Sequence, residues 1–128
     1  MDPQDPAERA TITLGRLGED ATLDWYRRRG YMLIARNWRC RLGELDLVLT
    51  REGQVVVCEV KTRRGRAFGG PYEAVTGRKQ RKLEALAELF VRVNGIRPKA
   101  VRFDVASVLV PARGTAGPED VHVFEQAF

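Results

Sequence analysis

Two apolar, β-branched runs separated by a short glycine turn constrain this chain most: Gly43-Glu44-Leu45-Asp46-Leu47-Val48-Leu49, then Glu52-Gly53, then Val55-Val56-Val57-Cys58-Glu59-Val60-Lys61. Both runs have strand length and neither continues at helical period, so together they predict a β-hairpin. Side chains alternate faces along a strand. Val55, Val57, Glu59 and Lys61 therefore share one face, and Glu44, Asp46 and Val48 share a face of the other arm. A two-residue loop at Glu52-Gly53, or any even number centred there, sets Asp46 across from Glu59 and Glu44 across from Lys61. A slip of one residue would move Asp46 to the wrong face.

Charges on the core-facing side of a strand are costly unless they are paired or hold a metal. One reading is structural: an ion pair of Lys61 with Glu59 or Glu44 at a strand end, or charges that protect a sheet edge. The other is a hard-cation site. Two carboxylates bind Mg²⁺ or Mn²⁺ through oxygen and leave positions for water and a phosphate, while a neighbouring ammonium orients water or offsets negative charge.

The rest of the chain frames the hairpin. Residues 1–12 are polar, with two prolines and no apolar segment of the targeting-peptide kind, and read as a flexible N-terminus. A first helix is expected from Thr13 to Arg29, with an apolar stripe of Leu14, Leu17, Ala21 and Trp25 and a C-cap at Gly30. Glu19 falls roughly opposite that stripe, as an exposed glutamate near the helix start. Tyr31–Ala35 begins the sheet, and 37–41 leads into the hairpin. Thr76 caps a second helix running to about Val93, with Leu83, Leu86, Ala87 and Phe90 as its buried stripe. Val101–Val110 is a further strand that contains Asp104, to which a structural or dimer-related role is open. Residues 111–128 form a Pro/Gly loop followed by a short edge strand over Val121–Phe124. The order is helix, three strands, helix, strand, which predicts an α/β fold with a mixed central sheet and helices on both faces, three layers in all.

Basic residues are clustered. The chain of 128 residues has a net charge of +5, and Arg27–Arg41 holds six arginines and no acid. Lys61–Lys82 holds eight Lys or Arg and one acid, Glu73. Basic segments flanking a carboxylate pair suit a nucleic-acid partner, because backbone phosphates supply most of the affinity. The bland alternative is an arginine-rich composition with no such partner. Arg63, Arg64 and Arg66 belong to a basic loop after the second arm, where Phe68 is either a base-stacking or a core residue. Arg78, Lys79 and Lys82 crowd the first turns of the second helix, where cations oppose the helix dipole unless an anion offsets them. Cys40 and Cys58 with the single His122 do not make a zinc set, and the two cysteines imply a reducing, cytoplasmic setting. No run has transmembrane length, and no Gly-rich loop of nucleotide-binding spacing occurs.

Several of these residues resemble a known family. Gly18-Glu19-Asp20-Ala21, Gly30-Tyr31, Asn37, Gly43-Glu44-Leu45-Asp46-Leu47, Glu59-Val60-Lys61-Thr62-Arg63, Phe68-Gly69, Lys79 and Arg102-Phe103-Asp104-Val105 resemble the YraN family, small bacterial proteins similar to archaeal Holliday junction resolvases. Asp46 followed by Glu59-Val60-Lys61 resembles the D…ExK signature of the restriction-endonuclease-like superfamily, PD-(D/E)xK. The resemblance implies a restriction-endonuclease-like domain over 13–110 and a Mg²⁺-dependent (or Mn²⁺-dependent) DNA endonuclease acting on branched or damaged DNA. It makes Asp46 and Glu59 metal ligands, Lys61 the catalytic lysine and Glu19 a further catalytic carboxylate, with Gln80 facing the site. It leaves open a homodimer, and equally a nucleic-acid-binding accessory protein that keeps the fold without cleavage.

Overall fold

The hairpin forms, and it sits at the centre of the molecule. A computed structural model describes residues 6–65 and 75–128. Helix α1 (Pro6–Arg27) is followed by strands β1 (Met32–Cys40), β2 (Gly43–Arg51) and β3 (Gln54–Arg64), helix α2 (Gly77–Val93), strand β4 (Ala100–Val110) and strand β5 (Val121–Phe124). The strands make one mixed sheet in the order β1-β2-β3-β4-β5. Only β3 and β4 run parallel, as the α2 crossover between them requires; the other neighbours are antiparallel. At the β2–β3 turn both Glu52 (φ 53°) and Gly53 (φ 81°) are left-handed. Two such residues make the type I′ geometry that matches strand twist.

Alternation along β2 and β3 feeds two cores. Val48, Val55 and Val57, with Val105 of β4, pack against Leu83, Leu86, Ala87 and Phe90 of α2, the four buried positions expected for that helix. Leu47, Leu49, Val56 and Cys58, with Ala106, pack against Leu23 and Tyr26 of α1 on the opposite face. Each fully buried aliphatic side chain contributes about 1.5–3 kcal/mol, so these two clusters hold the three layers together. Thr76 caps α2 by accepting the Lys79 N–H at 3.3 Å, and Gly30 (φ 86°) ends α1 in the left-handed conformation a C-cap glycine supplies.

Three local expectations need correcting. Helix α1 starts at Pro6 rather than Thr13, since proline's fixed φ and missing N–H suit a first turn. Its buried arc is wider than the expected stripe and includes Gly18, Thr22, Leu23 and Tyr26. Glu19 therefore stands midway along the helix at the border of the buried face, and its side chain is only 13% exposed. Strand β1 runs unbroken to Cys40, absorbing a bulge between Leu33 and Ala35 and a left-handed residue at Asn37 (φ 53°). Arg66 and Phe68 lie outside the described residues. Among the described residues no helix is long and apolar enough to cross a membrane.

Two contacts fix α1 on the sheet. Gly18 lies so close to β3 that a Cβ there would come within 1.9 Å of Thr62 Oγ1. Farther along, the Tyr26 hydroxyl donates to Asp104 Oδ2, while Arg102 donates two hydrogen bonds to the same carboxylate at 2.8 Å and the Gln126 N–H donates at 3.0 Å. Asp104 is thus a buried structural hub joining α1, β4 and the chain end. Burial and the adjacent negative charge push the Tyr26 hydroxyl far up from its ordinary pKa, so it remains a donor.

Asp104→Ala would strand Arg102 and Tyr26 without their acceptor and is expected to cost about 3–5 kcal/mol in a urea denaturation curve. A loss below about 1 kcal/mol would contradict the hub. Gly18→Ala is expected to cost about 1–3 kcal/mol by overpacking, and Thr62→Ala in the same chain to recover part of it.

Candidate functional site

The site opens where the hairpin stops pairing. The register set by the Glu52-Gly53 turn holds through Leu47↔Cys58, and the β2–β3 ladder ends there. Asp46 and Glu59 are next in line, as expected, but they do not form a ladder pair. Instead Asp46 Oδ2 accepts the Val60 N–H at 2.9 Å, so a side chain replaces the missing backbone partner. Two carboxylates directly opposite each other would stand at the distance where like charges destabilise a sheet, which accounts for the ladder ending before them. The expected Glu44–Lys61 pairing is likewise not made. Glu44 pairs with Arg39 at 3.0 Å, and Lys61 stands beside Ser107 of β4.

Beyond the last pair, Glu44, Asp46 and Glu59 line one side of a cleft of about 470 Å³. Thr76, Arg78, Lys79, Lys82, Leu83 and Leu86 from the start of α2 line the other. Glu59 shares the β3 face of Val55 and Val57, which is why it meets α2. Lys79 Nζ reaches Glu59 Oε1 at 2.9 Å, and Lys82 lies over Gly43. Lys61 follows two residues after Glu59 on the same strand face, with Arg63 two further on.

Glu19 comes to this region through a clamp that sequence reasoning missed. Arg36 Nε donates to Glu19 Oε1 at 3.0 Å, its Nη1 to Asp20 at 2.7 Å and its Nη2 to the Arg16 carbonyl at 3.1 Å. Asn37 Nδ2 donates to the same Glu19 oxygen at 3.1 Å. Arg36 pairs with Leu47 and Trp38 with Leu45, so Asn37 stands opposite Asp46. Its left-handed backbone turns the amide toward α1. The available signal was an asparagine inside a strand, a residue type that tolerates positive φ.

Electrostatics single out Asp46. Burial pushes its carboxyl up to about 7, the Glu59 charge adds to this, and Glu19 and Glu44 push the same way, while the Val60 N–H acts in the opposite sense. Among the described residues the nearby cations pair with other acids: Arg36 faces Glu19, Arg39 faces Glu44 and Lys79 faces Glu59. The donor set is all carboxylate oxygen, the chemistry a hard cation takes. Among the described residues no three acidic, histidine or cysteine side chains converge as a finished cage. Mg²⁺ keeps several waters and is commonly held by one or two carboxylates plus substrate phosphate, so Asp46 and Glu59 fit it.

Of the residues expected to touch nucleic acid, Arg78, Lys79 and Lys82 line the cleft. Arg64 instead donates to the carbonyls of Pro111 and Gly114, at 3.2 and 3.3 Å, and anchors the loop after β4. Gln80 turns back to donate to the Val75 carbonyl at 2.9 Å and steadies the entry to α2 rather than facing the cleft. Cys58 is fully buried, and burial pushes its thiol up, so it behaves as a small core residue.

The model of Uncharacterised protein family UPF0102, the YraN family, matches residues 18–108, which take in Glu19, the hairpin, α2 and β4 as far as Val108. A UPF0102 protein of Clavibacter michiganensis is 47% identical over 108 residues, 84% of this chain and 92% of that protein. One from Frankia alni is 43% identical over 122 residues, covering 95% and 99%, and one from Symbiobacterium thermophilum is 48% identical over 95 residues, covering 74% and 80%. With most of both chains aligned at these identities, the protein belongs to Uncharacterised protein family UPF0102.

Proposed function

We propose that this chain is a divalent-cation-dependent phosphodiesterase of the restriction-endonuclease-like kind that cuts DNA. The observation that carries the reading is Asp46: a mostly buried carboxylate crowded by Glu59, Glu19 and Glu44, beside a cleft whose far wall is basic. Like-charge crowding is costly to a fold, and acids perturbed in this way beside a cleft are candidates for a functional role.

When bound, a cation such as Mg²⁺ would polarise the scissile phosphate and offset the charge that builds there. Asp46 and Glu59 would hold it through carboxylate oxygens. Glu19, oriented by Arg36 and Asn37, adds negative charge from the α1 side. Lys61, on the Glu59 face of β3, is the ammonium that orients the attacking water or offsets developing negative charge. Arg78, Lys79 and Lys82 at the start of α2 take backbone phosphates and set the strand's position. A second reading, a nucleic-acid-binding accessory protein without cleavage, draws on one specific observation: Lys79 and Arg36 already neutralise Glu59 and Glu19.

Cleavage separates the two. The full chain incubated with linear, single-stranded and branched DNA and Mg²⁺ or Mn²⁺ is expected to cut in a cation-dependent way. Glu59→Ala should lose at least about a hundredfold in rate while its circular dichroism is unchanged. Failure to cut any of the three with either ion would favour the accessory reading.

Asp46 also makes a prediction about stability. Its folded pKa of about 7 lies above the unfolded value of about 3.9, so the folded chain binds the proton more tightly. Stability contributed by the protonated form is complete below about pH 4 and is lost as pH rises through about 7. In cation-free buffer, Asp46→Asn should therefore raise stability by about 2–4 kcal/mol at pH 8 and change little at pH 4, measured as denaturation midpoints. A variant less stable than wild type at pH 8 would contradict the crowding.

A further inference from the structure

We propose that Lys79 is a resident counter-ion of the carboxylate pair, which a divalent cation displaces from Glu59 and thereby releases to a nucleic-acid phosphate, coupling the two binding events positively. This rests on the cation-site reading above and adds a regulation to it. Lys79 Nζ stands 2.9 Å from Glu59 Oε1, where it takes lone pairs that a cation would need. The two ends of the pair differ in their freedom to move. Glu59 is 17% exposed on a paired strand, whereas the Lys79 side chain is 42% exposed and can swing into solvent.

The backbone beneath it stays put, because the Lys79 N–H caps on Thr76 Oγ1. Displacement costs one half-exposed ion pair, and the incoming cation itself replaces the charge that the mostly buried Glu59 loses. A released ammonium remains at the cleft mouth beside Arg78 and Lys82, in a first helical turn that carries no acid. Its natural second partner is an anion entering the cleft, since cations there oppose the helix dipole. Whatever draws Lys79 off Glu59 favours the cation, and by linkage the cation favours the polyanion equally. Lys82 provides the comparison, for it has the same charge in the same cleft but lies over Gly43.

The test is calorimetric titration of the full chain with Mn²⁺, without DNA, on wild type, Lys79→Gln, Lys82→Gln and Asp46→Asn. Lys79→Gln is expected to bind Mn²⁺ about fivefold tighter than wild type, and Lys82→Gln to change by less than about twofold. In a second measurement, fluorescence anisotropy of a short labelled duplex, adding Ca²⁺ should tighten wild-type binding at least about threefold more than it tightens Lys79→Gln. Unchanged or weaker Mn²⁺ binding by Lys79→Gln, or an equal Ca²⁺ effect in both proteins, would overturn the proposal while leaving the cation site intact. If wild type takes no Mn²⁺, or Asp46→Asn takes it equally well, the cation-site reading fails and this proposal with it.

Discussion

The hydrogen bond from the Val60 N–H to Asp46 Oδ2 is the contact on which the site depends. It stands where the β2–β3 ladder ends, and it lets the two strands part without leaving that donor of β3 unpaired. Parting is what allows Asp46 and Glu59 to face a common cleft instead of being pressed together as a like-charged ladder pair. A continuous hairpin of the same sequence would repel itself at this step, and a hairpin slipped by one residue would bury the acids among the aliphatic side chains.

Around that contact the rest of the chain supplies position. The glycine at 18 brings α1 against Thr62, the Arg36–Asn37 clamp holds Glu19, and the Asp104 hub fastens the far end of α1 through Tyr26. On the other face α2 docks through Leu83, Leu86, Ala87 and Phe90, which aims its basic first turn at Glu59. The two hydrophobic cores therefore support two charged walls of opposite sign, one from β2 and β3 and one from α2.

Much of the fold was legible because its signals are local. The Glu52-Gly53 turn determines the register, Thr76 and the 83–86–87–90 spacing define α2, and β-branched runs mark β3 and β4. The site was legible in part. Asp46 and Glu59 could be placed from strand alternation, and the basic start of α2 stood out from composition. Glu19 was misplaced because a helical stripe read from Leu14, Leu17, Ala21 and Trp25 does not reveal that Gly18, Thr22, Leu23 and Tyr26 are also buried. Its partners Arg36 and Asn37 are long-range contacts through a strand irregularity, which no periodicity encodes. Asp104 was open to a structural or dimer-related role, and its contacts with Tyr26 of α1, Arg102 of β4 and Gln126 near the chain end make that role structural.

The proposed site requires the end of the hairpin to hold a hard cation between Asp46 and Glu59. An anomalous difference map from crystals of the full chain grown with Mn²⁺ tests it most directly. A peak is expected within coordination distance of an oxygen from each of these two carboxylates, with Lys79 turned away from Glu59. A map in which Lys79 still sits on Glu59 and no peak lies between the two acids would contradict it.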